Sequence, residues 1–371
     1  MTERRDVARR SVLRIAGLTV AGGLAGCSGS SDSESSPTDQ PPATDGGEPT
    51  GTEPTATLDA EPVAVEDGTV SAGELPPYAD LLPATEDALL FAVFGTETES
   101  GHEIGATPDE PSDPLRFDGL SGAVTGRVLA AFLLSTDFGF RVDRLGIDET
   151  ERVLSVGGVG VQVFPVDFEG AMADLEDADV SMRFQADDRA VFVGPEDDVF
   201  GLTADALVFA GAEQGSGSFD PVDRIRAIVD ARTGAERPKH ETDDDFAQFL
   251  RHAETGGSVA GGYAPNADLE TLVGDRASDA SPSRVNLVTD GFGAATAGVF
   301  RMGLHNGDAH QPARGTLFYP NRDAIDEDAL TTTVGAAATN RSYVRDGTTV
   351  RVEGSYSWDA LSEFETESTF S

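Results

Sequence analysis

Residues 181–209, SMRFQADDRAVFVGPEDDVFGLTADALVF, and residues 220–234, DPVDRIRAIVDARTG, decide how the chain is read. In the first stretch short apolar runs alternate with turn chemistry. Ser181–Phe184, Ala190–Val193 and Ala206–Phe209 read as strands, with Asp187-Asp188 and Gly194-Pro195 as turns between them. In the second, Asp220 stands at a cap position and Pro221 at the first helical position. Val222, Ile225, Ile228 and Val229 recur on one face, and Gly234 follows the end. Strands in hairpin succession, then a helix, predict an α+β fold with mainly antiparallel sheets and packed helices.

Working outward, Ala88–Phe94 is a short apolar run ending at Gly95 and reads as a buried strand. Thr96–Gly119 is polar and reads as a loop, while Gly126–Phe140 is apolar and fits helix or strand. Val153–Phe164 is strand-like, with valines at 159, 161 and 163. Phe168, Met172 and Leu175 place a helix over 167–177, with Asp167 as its cap. Asp243–His252 predicts another helix and Ser258–Tyr263 a strand. Beyond Ser281-Pro282-Ser283, strands are expected at Arg284–Val288, Ala294–Met302 and Gly315–Tyr319, with a helix-prone stretch at Asn321–Ala329. Asp346-Gly347 marks a hairpin between Tyr343-Val344 and Thr348–Val352. About 285 residues exceed one small core, so two subdomains are expected, at 76–265 and 281–360. The order admits two related α/β-sandwich halves, although no sequence repeat is legible.

The N-terminus is a different kind of sequence. Arg4-Arg5 and Arg9-Arg10 precede Ile15–Ala25, which is apolar apart from Thr19 and about half the ~20 residues of a membrane-spanning helix. It reads as a signal peptide over 1–26. Arg9-Arg10-Ser11-Val12-Leu13 resembles a twin-arginine export signal, which implies export of a folded chain. Leu24-Ala25-Gly26-Cys27 resembles the lipobox of prokaryotic lipoproteins, and the resemblance places the lipid on Cys27, the sole cysteine. One acyl chain gives only reversible binding, at about 0.8 kcal/mol per buried CH₂, so stable anchoring implies two. Residues 27–75, rich in Ser, Thr, Pro, Gly and acid, are expected to form a disordered acidic tether with a reach of ~40 Å.

The formal net charge is −40. Residues 1–26 hold five arginines against Glu3 and Asp6, so the chain from Cys27 carries 64 acidic and 21 basic side chains. Lys239 is the only lysine. Nucleic acid is excluded as a partner, because phosphate binding needs a basic footprint. Such charge opposes a compact fold in dilute buffer and is screened at 1 M salt, where the Debye length is about 3 Å. Twenty phenylalanines argue for a folded protein rather than a disordered one.

Motifs for chemistry are sparse. Gly157-Gly158-Val159-Gly160 lacks the third glycine of a dinucleotide fingerprint, since Val163 stands there. Gly256-Gly257-Ser258-Val259-Ala260 is nearly a nucleophile elbow, but its last glycine is alanine. The histidines at 102, 240, 252, 305 and 310 form no i, i+4 metal pair. His240 and His252 bracket Asp243-Asp244-Asp245, which reads as a solvated helix start. No catalytic residue, cofactor or metal site is therefore assigned. Asn340-Arg341-Ser342 is the one Asn-x-Ser/Thr triplet, making Asn340 a candidate N-glycosylation site.

Export signal, lipobox, acidic tether and lysine-poor domain together resemble haloarchaeal cell-surface lipoproteins of uncharacterised function. The resemblance is carried mainly by residues 1–27 and echoed in Asp220–Ile225 and Asp230–Gly234. It implies a halophilic protein on the extracytoplasmic face of the cell membrane, held by the lipid on Cys27, with a cell-surface protein as expected partner. The expected activity is a non-catalytic binding or envelope-interaction module. The alternatives are an exported hydrolase and a transporter-associated solute-binding lipoprotein.

Overall fold

A computed structural model describes residues 63–85, 88–95, 113–135, 149–176, 178–211, 220–254, 256–276, 285, 287–305 and 308–362. Cys27, Arg9, Arg10 and His102 lie outside them.

The chain is α+β, built on one 13-stranded sheet. The strands are β1 (Val65–Asp67), β2 (Leu89–Gly95), β3 (Arg152–Val156), β4 (Val159–Val163), β5 (Ser181–Gln185), β6 (Arg189–Val193), β7 (Val199–Thr203), β8 (Ala206–Ala210), β9 (Ser258–Tyr263), β10 (Ala297–Met302), β11 (His310–Phe318), β12 (Thr339–Asp346) and β13 (Thr349–Ser357). The helices are α1 (Pro114–Ser135), α2 (Phe168–Glu176), α3 (Pro221–Arg232), α4 (Lys239–Thr242), α5 (Asp244–Leu250), α6 (Leu269–Arg276), α7 (Glu327–Thr333) and α8 (Trp358–Ser362). Spatial order is β1-β12-β13-β11-β10-β9-β2-β3-β4-β8-β7-β6-β5. Every neighbouring pair is antiparallel except β1–β12.

The order contains a duplication. From β2 the chain runs β2-α1-β3-β4-α2-β7-β8, with the β5–β6 hairpin inserted before β7. From β9 it runs β9-α6-β10-β11-α7-β12-β13. The two series meet at the antiparallel β2–β9 pair and read outward identically, as β2-β3-β4-β8-β7 and β9-β10-β11-β13-β12. These are the two related halves that the pattern admitted. The second half therefore starts at β9, near residue 258. An expected division between 265 and 281 would split β9 from β10, its hydrogen-bonded neighbour.

One face of the sheet is covered along both halves. Leu115, Leu120 and Ala123 of α1, Leu269 and Leu272 of α6, and Leu330 of α7 pack there on Leu90, Phe300, Leu317, Val350 and Val352. In the first half Ala171 and Leu175 of α2 pack on Phe192, Phe200, Leu207 and Phe209. The opposite face carries Ile225, Ile228 and Val229 of α3 and Phe246, Phe249 and Leu250 of α5 on Phe91, Val93, Val161, Val191, Val208 and Val299.

Several expectations change. Val153–Phe164 is a hairpin rather than one strand, because Gly157 and Gly158 both take positive φ and turn the chain between β3 and β4. The expected loop Thr96–Gly119 contains the start of α1, where Leu115 N–H donates to Asp113 Oδ1 at 3.2 Å ahead of Pro114. Three glycines hide this helix in the sequence, yet packing requires at least one. A Cβ on Gly122 would lie 2.6 Å from the Val259 carbonyl oxygen. The described part of 284–288 is not a strand; Val288 N–H instead donates to Asp118 at 2.8 Å.

The tether boundary also moves. Val65–Asp67 pairs with β12, and Arg345 Nε donates to Asp67 Oδ1 at 2.9 Å. Gly68 N–H then bonds the Arg345 carbonyl and Gly73 N–H the Arg251 carbonyl, both at 2.9 Å. Residues 68–75 thus form a strap from the sheet edge to the end of α5, not part of a free linker.

Candidate binding face

The duplicated halves differ on the face opposite α1. In the first half one cross-strand row runs Leu154–Val161–Val208–Gly201–Val191, and α3 covers it. A Cβ on Gly201 would sit 2.5 Å from Ile225 Cγ2, so the helix rests on strand backbone there. In the second half α8 follows β13 instead, and Trp358 packs against the covered face. Beyond Phe318 at the end of β11, which Phe249 of α5 meets, no described helix covers β11, β13 and β12 on this side. The strap of residues 68–75 crosses it beside Val344 and Arg351, and the rest of the face is left open.

The open face is polar by alternation. In β13, Val350, Val352 and Tyr356 point into the core, while Arg351, Glu353 and Ser355 point outward. Strand register lines these up as Arg301–Arg314–Glu353–Ser342, beside Val299–Thr316–Arg351–Val344. Glu254, just past α5, binds both Arg301 and Arg314, and Arg314 Nε reaches Glu353 at 2.8 Å. Arg301 Nε also donates to the Gly256 carbonyl at 3.1 Å. The result is a relay of alternating charge across three strands and one loop.

Beside the relay lies a depression of about 250 Å³, lined by Arg301, Pro312, Arg314, Ser342, Glu353 and Ser355, with Asn340 at its rim. Asn340 has φ 54°, at a register shift in β12 between Thr339 and Ser342. It is exposed, as a glycan acceptor must be.

Toward the strap, Arg351 donates to the Ser71 carbonyl at 2.6 Å. Its Nε has no hydrogen-bond partner, and neither has Thr316 Oγ1 opposite it in register or His252 Nδ1. His252 packs edge-on against Phe318, ring centroids 5.3 Å apart. Burial, with the nearby Arg351 charge, holds the His252 pKa down at about 4. Desolvation, then the neighbouring Arg314 charge, lowers that of Arg351, against the opposing pull of Glu353. Desolvation alone lowers that of Arg301.

The motifs singled out in the sequence do not meet here. Ser258 is fully buried, and its Oγ accepts the Ala123 N–H at 2.9 Å, which ties α1 to β9. Gly157-Gly158 is a hairpin turn. Asp243 caps α5 through Phe246 N–H at 2.9 Å and accepts the Tyr263 hydroxyl at 3.1 Å. His240 instead faces Asp80, 3.7 Å away. The backbone N–H of His305 is held by Gln311, and the His305 and His310 side chains stay exposed. Among the described residues, no group of three or more His, Cys, Asp or Glu side chains is placed to hold a metal ion. None of the described helices is long and apolar enough to cross a membrane.

The row Arg301, Arg314, Arg351 and Glu353 was not anticipated. The polar alternation of 349–357 was the available signal, but it cannot reveal which strands lie alongside. Compared with protein families, curated proteins and solved structures, the chain matches none of them.

Proposed function

We propose that the protein is a lipid-anchored, extracytoplasmic binding module of a high-salt cell surface, and that it engages its partner through the open face of the second half. The observation that carries this reading is the contrast between matching strands. The first half invests valines and a helix in the face that the second half leaves polar, charged and shaped into a depression. Antiparallel sheets tolerate one solvated face, but a buttressed arginine–glutamate relay exceeds what solubility requires in so acidic a chain. The export signal, the lipobox cysteine and the resemblance to haloarchaeal surface lipoproteins supply the location.

Three measurements test it. Cys27→Ser should shift the protein from the membrane to the soluble fraction, and detergent-dependent retention of the variant would sink the anchor. A photoreactive residue at Ser342 should give a specific adduct in intact cells at native salt, whereas one at Glu236, exposed beside α3, should not. Equal labelling from both positions would overturn the binding face. Lowering salt from molar to millimolar should abolish near-UV circular dichroism; a salt-independent spectrum would contradict the halophilic reading.

A further inference from the structure

We infer that the strap of residues 68–75 seals a site for a single halide ion, such as chloride, against Arg351, Thr316 and His252. The site lies in the row beside the depression and does not depend on what the depression holds.

Placement comes first. Thr316 and Arg351 are register partners on the open side of β11 and β13. Phe318, two residues on from Thr316, shares that side and meets the His252 ring. The strap passes Val344 and accepts the Arg351 hydrogen bond at the Ser71 carbonyl. Its Gly73 N–H then bonds the carbonyl of Arg251, the residue before His252. It therefore crosses the row and ends beside the histidine. Arg351 Nε, Thr316 Oγ1 and His252 Nδ1 are shut off from solvent here, and none has a hydrogen-bond partner. Thr316 is 1% exposed and His252 7%. Enclosed polar groups normally have a partner, and ones that lack it point to a bound ion or water.

Charge selects between the two. Among the described residues no carboxylate forms an ion pair with Arg351, whereas Arg301, Arg314 and Arg345 each have one. Glu353, which acts on Arg351, is held by Arg314 at 2.8 Å. A half-buried guanidinium without a counter-ion is costly, and water supplies hydrogen bonds but no charge. Arg351 Nε–H can only donate, and the Thr316 hydroxyl and one tautomer of the neutral His252 ring donate as well. Donors enclosed beside an unpaired positive charge suit an anion that accepts from every side. Such an ion also needs no exit for a larger body, which sets a halide apart from a carboxylate or sulfate. The bound ion ties the strap to the sheet, so this seam tightens with chloride itself and not with ionic strength alone.

The test uses the full chain in detergent, with total potassium held at one molar concentration. Crystals grown with bromide in place of chloride should show an anomalous peak within hydrogen-bond distance of Arg351 Nε and Thr316 Oγ1. In solution, chloride replacing the larger methanesulfonate should raise the thermal midpoint along a saturable curve. Thr316→Val keeps the shape of the side chain, removes one donor and should move that curve to about tenfold higher chloride. General anion effects act on both proteins alike, so the difference between the curves isolates the site. Arg351→Gln should abolish saturation. Should it fail to fold, because the Ser71 bond is also lost, Thr316→Val and the bromide crystal carry the test. The inference is overturned by ordered water without a bromide peak, or by chloride curves that coincide for the wild type and Thr316→Val. Either result alongside near-UV circular dichroism that still vanishes at millimolar salt would defeat this inference alone and leave the halophilic reading standing.

Discussion

The first and second halves repeat the same strand order, yet on one face they obey opposite rules. Under α3, the row Leu154–Val161–Val208–Gly201–Val191 has no polar side chain. In the second half, two neighbouring rows hold three arginines, Glu353, Thr316 and Ser342. The difference lies in the helix that comes after the last hairpin of each half. After β8, Asp220-Pro221 starts an amphipathic helix that folds back onto the sheet, Asp220 Oδ1 accepting the Val222 N–H at 2.8 Å. After β13 the chain turns into α8 on the other side. A duplicated architecture thus spends one copy on stability and leaves the other copy's surface available.

The sharpest way to break this comparison is to exchange characters between the halves. Val208→Arg puts an unpartnered charge beneath α3 and should cost at least about 3–5 kcal/mol, read as loss of the cooperative thermal transition. The reciprocal change, Ser342→Val, should alter stability by no more than about 0.5 kcal/mol. Comparable costs would mean that the open face is part of the core.

Next in size is the cover itself. Ile225→Ala removes the side chain seated on Gly201 and should cost about 2–4 kcal/mol by denaturant titration. A cost below about 1 kcal/mol would show that α3 is not what keeps the first half apolar.

Two smaller effects are read from pH. Asp118 is buried in α1, and its Oδ2 has no partner. Burial holds its carboxyl well above the usual range, with the Val288 N–H opposing and Asp113 adding. Its folded value is raised, so its stabilisation is complete below the ordinary carboxylate value of about 4 and is lost as pH rises from there through the raised folded value. Asp118→Asn should therefore flatten the stability profile above pH 4, an effect of the seam rather than of either half. His252 has the opposite sign. Its folded value of about 4 lies below the unfolded 6.5, so its contribution is complete above 6.5 and is lost as pH falls toward 4. His252→Phe should remove that acid-side loss, and an unchanged slope between pH 4 and 6.5 would show that His252 does not sense the open face.

Much of the local structure was legible. Asp220-Pro221, Asp167, Asp243 and Asp346-Gly347 each marked an element boundary that the fold uses, since caps and tight turns depend on residues within a few positions. The same Asp-Pro signal at 113–114 is masked, because Gly119, Gly122 and Gly126 lower helix propensity. Asp113 shows how far its role exceeds a cap. Its carboxylate accepts Gly335 N–H at 2.7 Å, Ala337 N–H at 2.9 Å and the Tyr356 hydroxyl at 2.9 Å, joining α1 to the far end of the second half. Those partners lie more than 200 residues away, beyond any local signal.

The sequence by itself determined the α+β character, most element starts, the acid excess and the expectation of a lipid at Cys27, because each is written in composition or in spacing of a few residues. Tertiary structure alone decided that β9 closes on β2 to make one sheet, that residues 65–75 belong to the domain, and that Arg301, Arg314 and Arg351 lie side by side. Those facts depend on strand order and register, and register brings together side chains whose separation along the chain carries no trace of their separation in space.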